Sequence, residues 1–184
     1  MKDADIQSII HCINLLGEDL IGAEIGVFKA ESFCSLLIHC KNIKKLYGID
    51  FWQSYTDFLK EPYDGKPAYT ISDTDIKIIR NIAFANIKKY DIENKSIIVE
   101  KNSSLASLDF DDNFFDFVFV DTYMDFNQCS KDLEDWYPKV KPKGIFSGHD
   151  WNSDVVQLAV YKFRKKYNIK SKMSTFDNTF IWIK

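Results

Sequence analysis

At 184 residues, with 46% hydrophobic and 28% charged side chains, the chain can bury a substantial core and shows no bias toward disorder or fibrous repeats. A net charge of −3 argues against binding nucleic acid through general phosphate attraction. No apolar stretch approaches membrane-spanning length, and the four cysteines form no CxxC pair, so neither a membrane partner nor a zinc ribbon is expected.

Residues 1–21 read as an N-terminal helix. Asp3 or Asp5 is placed to cap it, because Ile6, Ile9, Ile10, Ile13 and Leu16 form one apolar stripe, and Gly17 and Gly22 bracket its exit. The acidic start Met1-Lys2-Asp3-Ala4-Asp5 does not resemble a signal peptide, which leads us to expect a cytoplasmic protein. A buried strand over Ala23 to Val27 turns at Gly26 into a helix carrying Phe33, Leu36, Leu37 and Cys40. A second strand, Lys45 to Asp50, ends in an acid followed by Phe51 and Trp52.

Within residues 51–71, positions 53–71 lack a clear period and hold Tyr55, Phe58, Tyr63 and Tyr69. They read as a lid or substrate wall, or else as an ordered loop over the sheet edge. Ser72, Asp73, Thr74 and Asp75 offer caps for a helix with Ile76, Ile79, Ile82, Ala83 and Ile87. Next come a strand over Ser96 to Glu100, a polar turn at residues 101–104, and the apolar strand FDFVFVD at 115–121. A helix from Gln128 to Val140, stopped by Pro142 and Gly144, leads to the strand GIFSGHD at 144–150. A helix from about Ser153 to Tyr167 precedes two β-rich stretches, Lys170 to Ser174 and Thr179 to Lys184, joined by the turn Phe176-Asp177-Asn178.

Alternating strands and helices predict an α/β fold with a parallel sheet covered on both faces, and the terminal hairpin adds one antiparallel strand. The whole chain, 1–184, reads as one domain. In such sheets a ligand lies beyond the carboxyl ends of the strands. Those ends carry acids and hydroxyls here, and the run Gly26-Val27-Phe28-Lys29-Ala30-Glu31 holds one glycine of the three in a dinucleotide turn. That disfavours an NAD-dependent enzyme and suits a ligand without phosphate. Glu24 and Gly26 fit an amino-acid end, Asp50 a ribose, Phe51 and Trp52 an adenine face, and Asn102 and Ser103 its edge. These are the parts of S-adenosylmethionine.

Over nearly its whole length the chain is similar to class I S-adenosylmethionine-dependent methyltransferases. It resembles most the methyltransferase domain 24 group, which contains macrocin O-methyltransferase-like and cephalosporin hydroxylase-like proteins. The features that carry this are EIGVFKAES (24–32), YGIDFW (47–52), FDFVFVD (115–121), KDLEDWYPKVKPKG (131–144) and GHDW (148–151). The resemblance implies a three-layer α/β/α Rossmann-like sandwich, with a seven-stranded sheet in the order 3-2-1-4-5-7-6 and the seventh strand antiparallel. It also implies methyl transfer to a small-molecule acceptor at oxygen, with Glu24 and Gly26 at the methionine end, Asp50 at the ribose and Asn102 and Ser103 at the adenine; Phe28, Phe51, Trp52 and Asp121 complete the candidate cofactor site. The family pattern has a second glycine at Phe28, an Asp at Asn102 and a histidine at Met124, and these departures favour a rival reading, a non-catalytic adenosyl-binding module. With Met124 in that place, His149 is the candidate base and Asp150 its neighbour, Tyr123 being a further alternative. Asp121 has three readings: contact with the sulfonium, a metal ligand, or support for a loop. Asp121, His149 and Asp150 offer the oxygens and nitrogen a divalent ion would need, and the metal is left open.

Overall fold

The computed structural model describes residues 6–56, 70–122, 125–176 and 178–184. The predicted caps Asp3 and Asp5, most of the aromatic 51–71 segment, Tyr123, Met124 and the turn residue Asp177 lie outside the described residues.

Seven strands form one sheet: β1 (Leu20–Ile25), β2 (Ile43–Ile49), β3 (Ser96–Val99), β4 (Phe115–Val120), β5 (Val140–Gly148), β6 (Met173–Phe176) and β7 (Thr179–Ile183). Their order is β3-β2-β1-β4-β5-β7-β6. The first five run parallel, while β7 runs antiparallel to both β5 and β6. This is the expected order and the expected antiparallel strand. Residues 55–56 and 70–71 form a separate two-stranded antiparallel ribbon.

Helices cover both faces. On one face α1 (Gln7–Asn14), α2 (Glu31–His39) and α3 (Asp73–Lys89) bring Ile9, Ile13, Phe33, Leu36 and Ile79 onto Phe117 and Phe119 of β4. On the other, α4 (Ser103–Ser107), α5 (Phe126–Trp136) and α6 (Asp154–Lys166) bring Ala106, Leu133, Trp136, Val160 and Phe163 onto Val118 and Phe146. Strand alternation makes this division, since successive side chains of β4 enter opposite cores. Capping sets the start of α3: the Asp75 amide donates to Ser72 Oγ at 3.2 Å, and the Ser72 amide returns a bond to Asp75 Oδ2 at 3.1 Å.

Several boundaries differ from the sequence expectation. β1 begins at Leu20, so Gly22 is a strand residue and not a bracket; the Phe117 ring lies where its Cβ would stand. α5 ends at Trp136, tightens into a 3₁₀ turn over Tyr137–Lys139, and β5 starts at Val140. Pro142 therefore sits inside a strand. It is accommodated because the β4–β5 register shifts there and Lys143 adopts φ 69°, a bulge that spares the ladder from proline's missing donor. The polar stretch expected as a turn at 101–104 instead caps and opens α4, with the Ser104 amide donating to Asn102 Oδ1 at 3.1 Å.

The strand ends are level with one another. Beyond the ladders, Gly26 N donates to Ile49 O, Asp50 N to Val99 O, Asp121 N to Ile25 O and His149 N to Val120 O, at 2.7 to 3.2 Å. This places the ends of β1 to β5 on one rim.

Candidate active site

A cavity of about 650 Å³ opens on that rim, at the switch point between β1 and β4. Five acids (Glu31, Asp50, Asp121, Asp125, Asp150) and two lysines (Lys29, Lys101) line it among the described residues. Lys101 pairs with Asp109 at the surface, and Lys29 lies over the Phe28 ring, 5.4 Å from its centroid. The wall is strongly acidic.

The turn after β1 is built from alternating left-handed residues: Gly26 (φ 91°), Phe28 (φ 50°) and Ala30 (φ 59°). A Cβ at Gly26 would collide with the carbonyl of Asp121, so this position requires glycine. Phe28 and Ala30 hold their strained conformation at a cost of about 1–2 kcal/mol each. What holds Phe28 is Asp50. Its Oδ2 accepts from the amides of Val27 at 2.9 Å and Phe28 at 2.8 Å, and its Oδ1 accepts from Trp52 N at 2.7 Å. Trp52, itself at φ 41°, closes the ring by donating its indole N–H to Phe28 O at 2.9 Å. The amide nest that would hold a phosphate is thus filled by the protein's own carboxylate. Oδ1 of Asp50 keeps one lone pair, enough for one further hydroxyl. Trp52 is buried against Phe84, whereas Phe51 stands exposed on the rim.

Glu24 lies beneath this turn and is fully buried, outside the cavity lining. Ser32 donates its hydroxyl to Oε1, and Oε2 has no hydrogen-bond partner among the described residues. Burial pushes its carboxyl well above the usual carboxylate range; the Ser32 bond opposes this, and the charges of Asp121 and Asp50 add to it.

Across the cavity, His149 Nδ1 stands 3.0 Å from Asp150 Oδ1 and 3.5 Å from Asp121 Oδ1. Asp121 and Asp150 line the cavity. His149 lies behind them, in a small recess with Cys129, Val156 and Phe180. Asp150, at φ 58°, turns the chain so that its side chain meets the imidazole. Burial raises the Asp121 carboxyl to about 7, with His149 lowering it and Asp150 raising it. One ligand atom from each of the three lies within 4.8 Å of the others.

At the third side Asn102, the cap of α4, and Ser103 line the cavity with Thr122 and Gln128. All three of Ser103, Thr122 and Gln128 bond to Asp132, a fully buried carboxylate on α5. Thr122, Gln128 and Asp132 are functional candidates that reading the sequence missed. The available signal was an acid at 132 within the apolar stripe Cys129, Leu133 and Trp136. Both arginines are committed elsewhere: Arg80 makes a bidentate pair with Glu100, and Arg164 donates to Ser171 O and stacks on Trp182.

A family model described as a methyltransferase domain matches residues 23–151. No curated protein matches the chain in sequence. Among solved structures, the O-methyltransferase NovP superposes with a TM-score of 0.69 at 17% identity, over 98% of this chain and 79% of NovP. An O-methyltransferase family protein from Burkholderia thailandensis gives 0.61 at 11%, over 97% of this chain and 55% of that one. A precorrin 8w decarboxylase from Methanobacterium thermoautotrophicum gives 0.63 at 12%, over 97% and 88%. Likeness at these identities shows the fold alone. Among the described residues no helix is long and apolar enough to cross a membrane.

Proposed function

We infer the reaction from one premise: this chain belongs to the methyltransferase-domain family. It is an S-adenosylmethionine-dependent methyltransferase, and we propose that its acceptor is a hydroxyl oxygen of a small molecule. The neighbours named as O-methyltransferases support oxygen. The observation that carries the cofactor assignment is the acidic cavity whose amide nest is already filled by Asp50. Such a wall attracts a sulfonium and an ammonium and repels a pyrophosphate. The four free thiols support a reducing, cytoplasmic setting.

In this reading Glu24 and Gly26 back the methionyl end beside Phe28, and the remaining lone pair of Asp50 Oδ1 takes a ribose hydroxyl. Phe51 and Trp52 flank the adenine, whose edge meets Asn102 and Ser103. Asp121 faces the sulfonium. The methyl group is already activated, so the protein's task is to align an in-line attack and exclude water. The acceptor's proton passes to the Asp121–His149–Asp150 cluster, where a carboxyl near 7 suits a general base at neutral pH. His149 acts from behind, holding both carboxylates in place.

The same cluster has a second reading. Two carboxylates and an imidazole within 4.8 Å suit a divalent ion held by Asp121, His149 and Asp150. When bound, it would make the acceptor hydroxyl more acidic.

Calorimetry with S-adenosylmethionine and S-adenosylhomocysteine tests the cofactor assignment; no binding of either at millimolar concentration overturns it. A screen of hydroxylated metabolites and sugars, read by homocysteine release, then tests the acceptor class. Turnover that survives exhaustive chelation assigns the chemistry to protein groups, and loss restored by Mg²⁺ or Mn²⁺ assigns it to an ion.

A further inference from the structure

Asp132 touches the cavity only through other residues. Its Oδ1 accepts from Ser103 Oγ at 2.5 Å and Gln128 Nε2 at 3.0 Å, and its Oδ2 accepts from Thr122 Oγ1 at 2.8 Å. Gln128 Nε2 also donates to Ser103 Oγ at 3.1 Å, which fixes the orientation of the amide. Burial raises the Asp132 carboxyl, and the bonds from Ser103, Gln128 and Thr122 oppose that by favouring the ionised form.

An ionised carboxylate has no proton to give, so each of these bonds consumes a donor on a cavity-lining residue. Ser103 and Thr122 have one hydroxyl proton each, and both protons point at Asp132. What these side chains can still offer a ligand is acceptor capacity: lone pairs on Ser103 Oγ and Thr122 Oγ1, and Gln128 Oε1. Next to them, Asn102 spends its Oδ1 on the Ser104 amide, which leaves its amide nitrogen as a donor. The side chains of these four residues therefore present acceptors beside one donor.

We propose that Asp132 sets this hydrogen-bond polarity, and so makes the cavity select adenine over hypoxanthine at the base end of the site. The inference rests on the S-adenosylmethionine reading, whose base subsite it specifies. Adenine carries an amino donor beside a ring-nitrogen acceptor and complements the wall. Hypoxanthine reverses both groups, setting a carbonyl against acceptors and a ring N–H against a donor. Asp132 is a positioning residue, since it acts through Ser103, Thr122 and Gln128.

The test measures S-adenosylhomocysteine and S-inosylhomocysteine binding to the wild type, Asp132→Asn and Ser103→Ala. The wild type should prefer the adenosyl compound by roughly a hundredfold or more, as sites built around polar partners do. Asp132→Asn keeps an oxygen acceptor where Gln128 and Ser103 donate and puts an amide donor in the place of Oδ2, which frees Thr122 to turn its proton toward the ligand. Its preference should fall to within about tenfold, partly through tighter inosyl binding, a gain that a merely structural role would not produce. Ser103→Ala should weaken the adenosyl compound about tenfold and leave the inosyl compound unchanged; this variant decides the matter if Asp132→Asn does not fold. Parallel loss of both affinities in Asp132→Asn, with the ratio preserved, overturns the inference. So does a wild type that binds both compounds equally, whereas failure of the wild type to bind S-adenosylhomocysteine overturns the cofactor assignment beneath it.

Discussion

Asp50 and Asp121 stand at the ends of β2 and β4, on either side of β1, and are held by opposite means. Backbone surrounds Asp50: the amides of Val27, Phe28 and Trp52 all point at its carboxylate. Side chains surround Asp121: it faces the imidazole of His149, which also meets Asp150. Amides stay protonated at every pH the protein meets, so the β2 end is a frame of fixed donors. Burial raises the Asp121 carboxyl to about 7, so the β4–β5 end can change charge within a reaction. We assign binding to the first end and proton transfer to the second on that difference.

The sharpest way to break this comparison is to empty the frame. Asp50→Ala leaves three amides without their acceptor and lets Phe28 relax from its left-handed conformation. Each lost bond to a charged group is worth about 1.5–3 kcal/mol. Affinity for S-adenosylmethionine should fall by roughly a thousandfold, with a lower melting temperature in the free protein. Calorimetry and thermal unfolding check this, and an Asp50→Ala protein with wild-type affinity would remove Asp50 from the binding frame.

The opposite end should behave differently. His149→Ala removes the group behind Asp121 and Asp150 and deletes no side chain that lines the cavity. S-adenosylmethionine affinity should stay within about threefold of wild type, while turnover on a validated acceptor drops by roughly a hundredfold. If affinity and turnover fall together, His149 supports the cavity as a whole, and the division between a binding end and a chemical end fails.

The architecture was legible because it rests on periodicity. The period-2 run of β4 and the helical stripes of α1, α3 and α6 name most of their buried faces, although Ile82 and Val155 of those stripes stand exposed. The residues at strand ends followed from the same pattern, since the rim collects whatever stands one position past each strand. Two features were hidden for a physical reason. The bulge at Pro142 and Lys143 depends on register with β4, a long-range property that local composition does not encode. The Asp50 nest depends on tertiary contact between two turns, and so Phe28 looked like a defect in a glycine loop until its amide partner was known. Asp132 was obscured in another way. Its helix periodicity marked the position as buried, but only the fold brings Ser103 and Thr122 within reach.

Glu24 is the intermediate case, and it sharpens the comparison with the smallest effect. It lies between the two ends, with neither an amide nest nor an imidazole; Ser32 alone donates to it among the described residues. Its carboxyl is pushed well above the usual carboxylate range by burial, so the folded protein keeps this proton at pH values where the unfolded chain has lost it. The sign follows from that difference in bound protons. Stability from Glu24 is greatest below the ordinary carboxylate pKa and falls as pH rises toward the folded value, by at most about 1.4 kcal/mol per pH unit. Glu24→Gln removes the titration and should flatten this part of the stability profile in chemical denaturation across pH. A cationic cofactor favours the ionised carboxylate, so wild-type binding should release a proton and tighten by up to about tenfold per pH unit over the same range. Calorimetry in buffers of different ionisation enthalpy counts that proton directly. Proton release that persists undiminished in Glu24→Gln would transfer the linkage to Asp121, and the end that changes charge would then govern binding as well as chemistry.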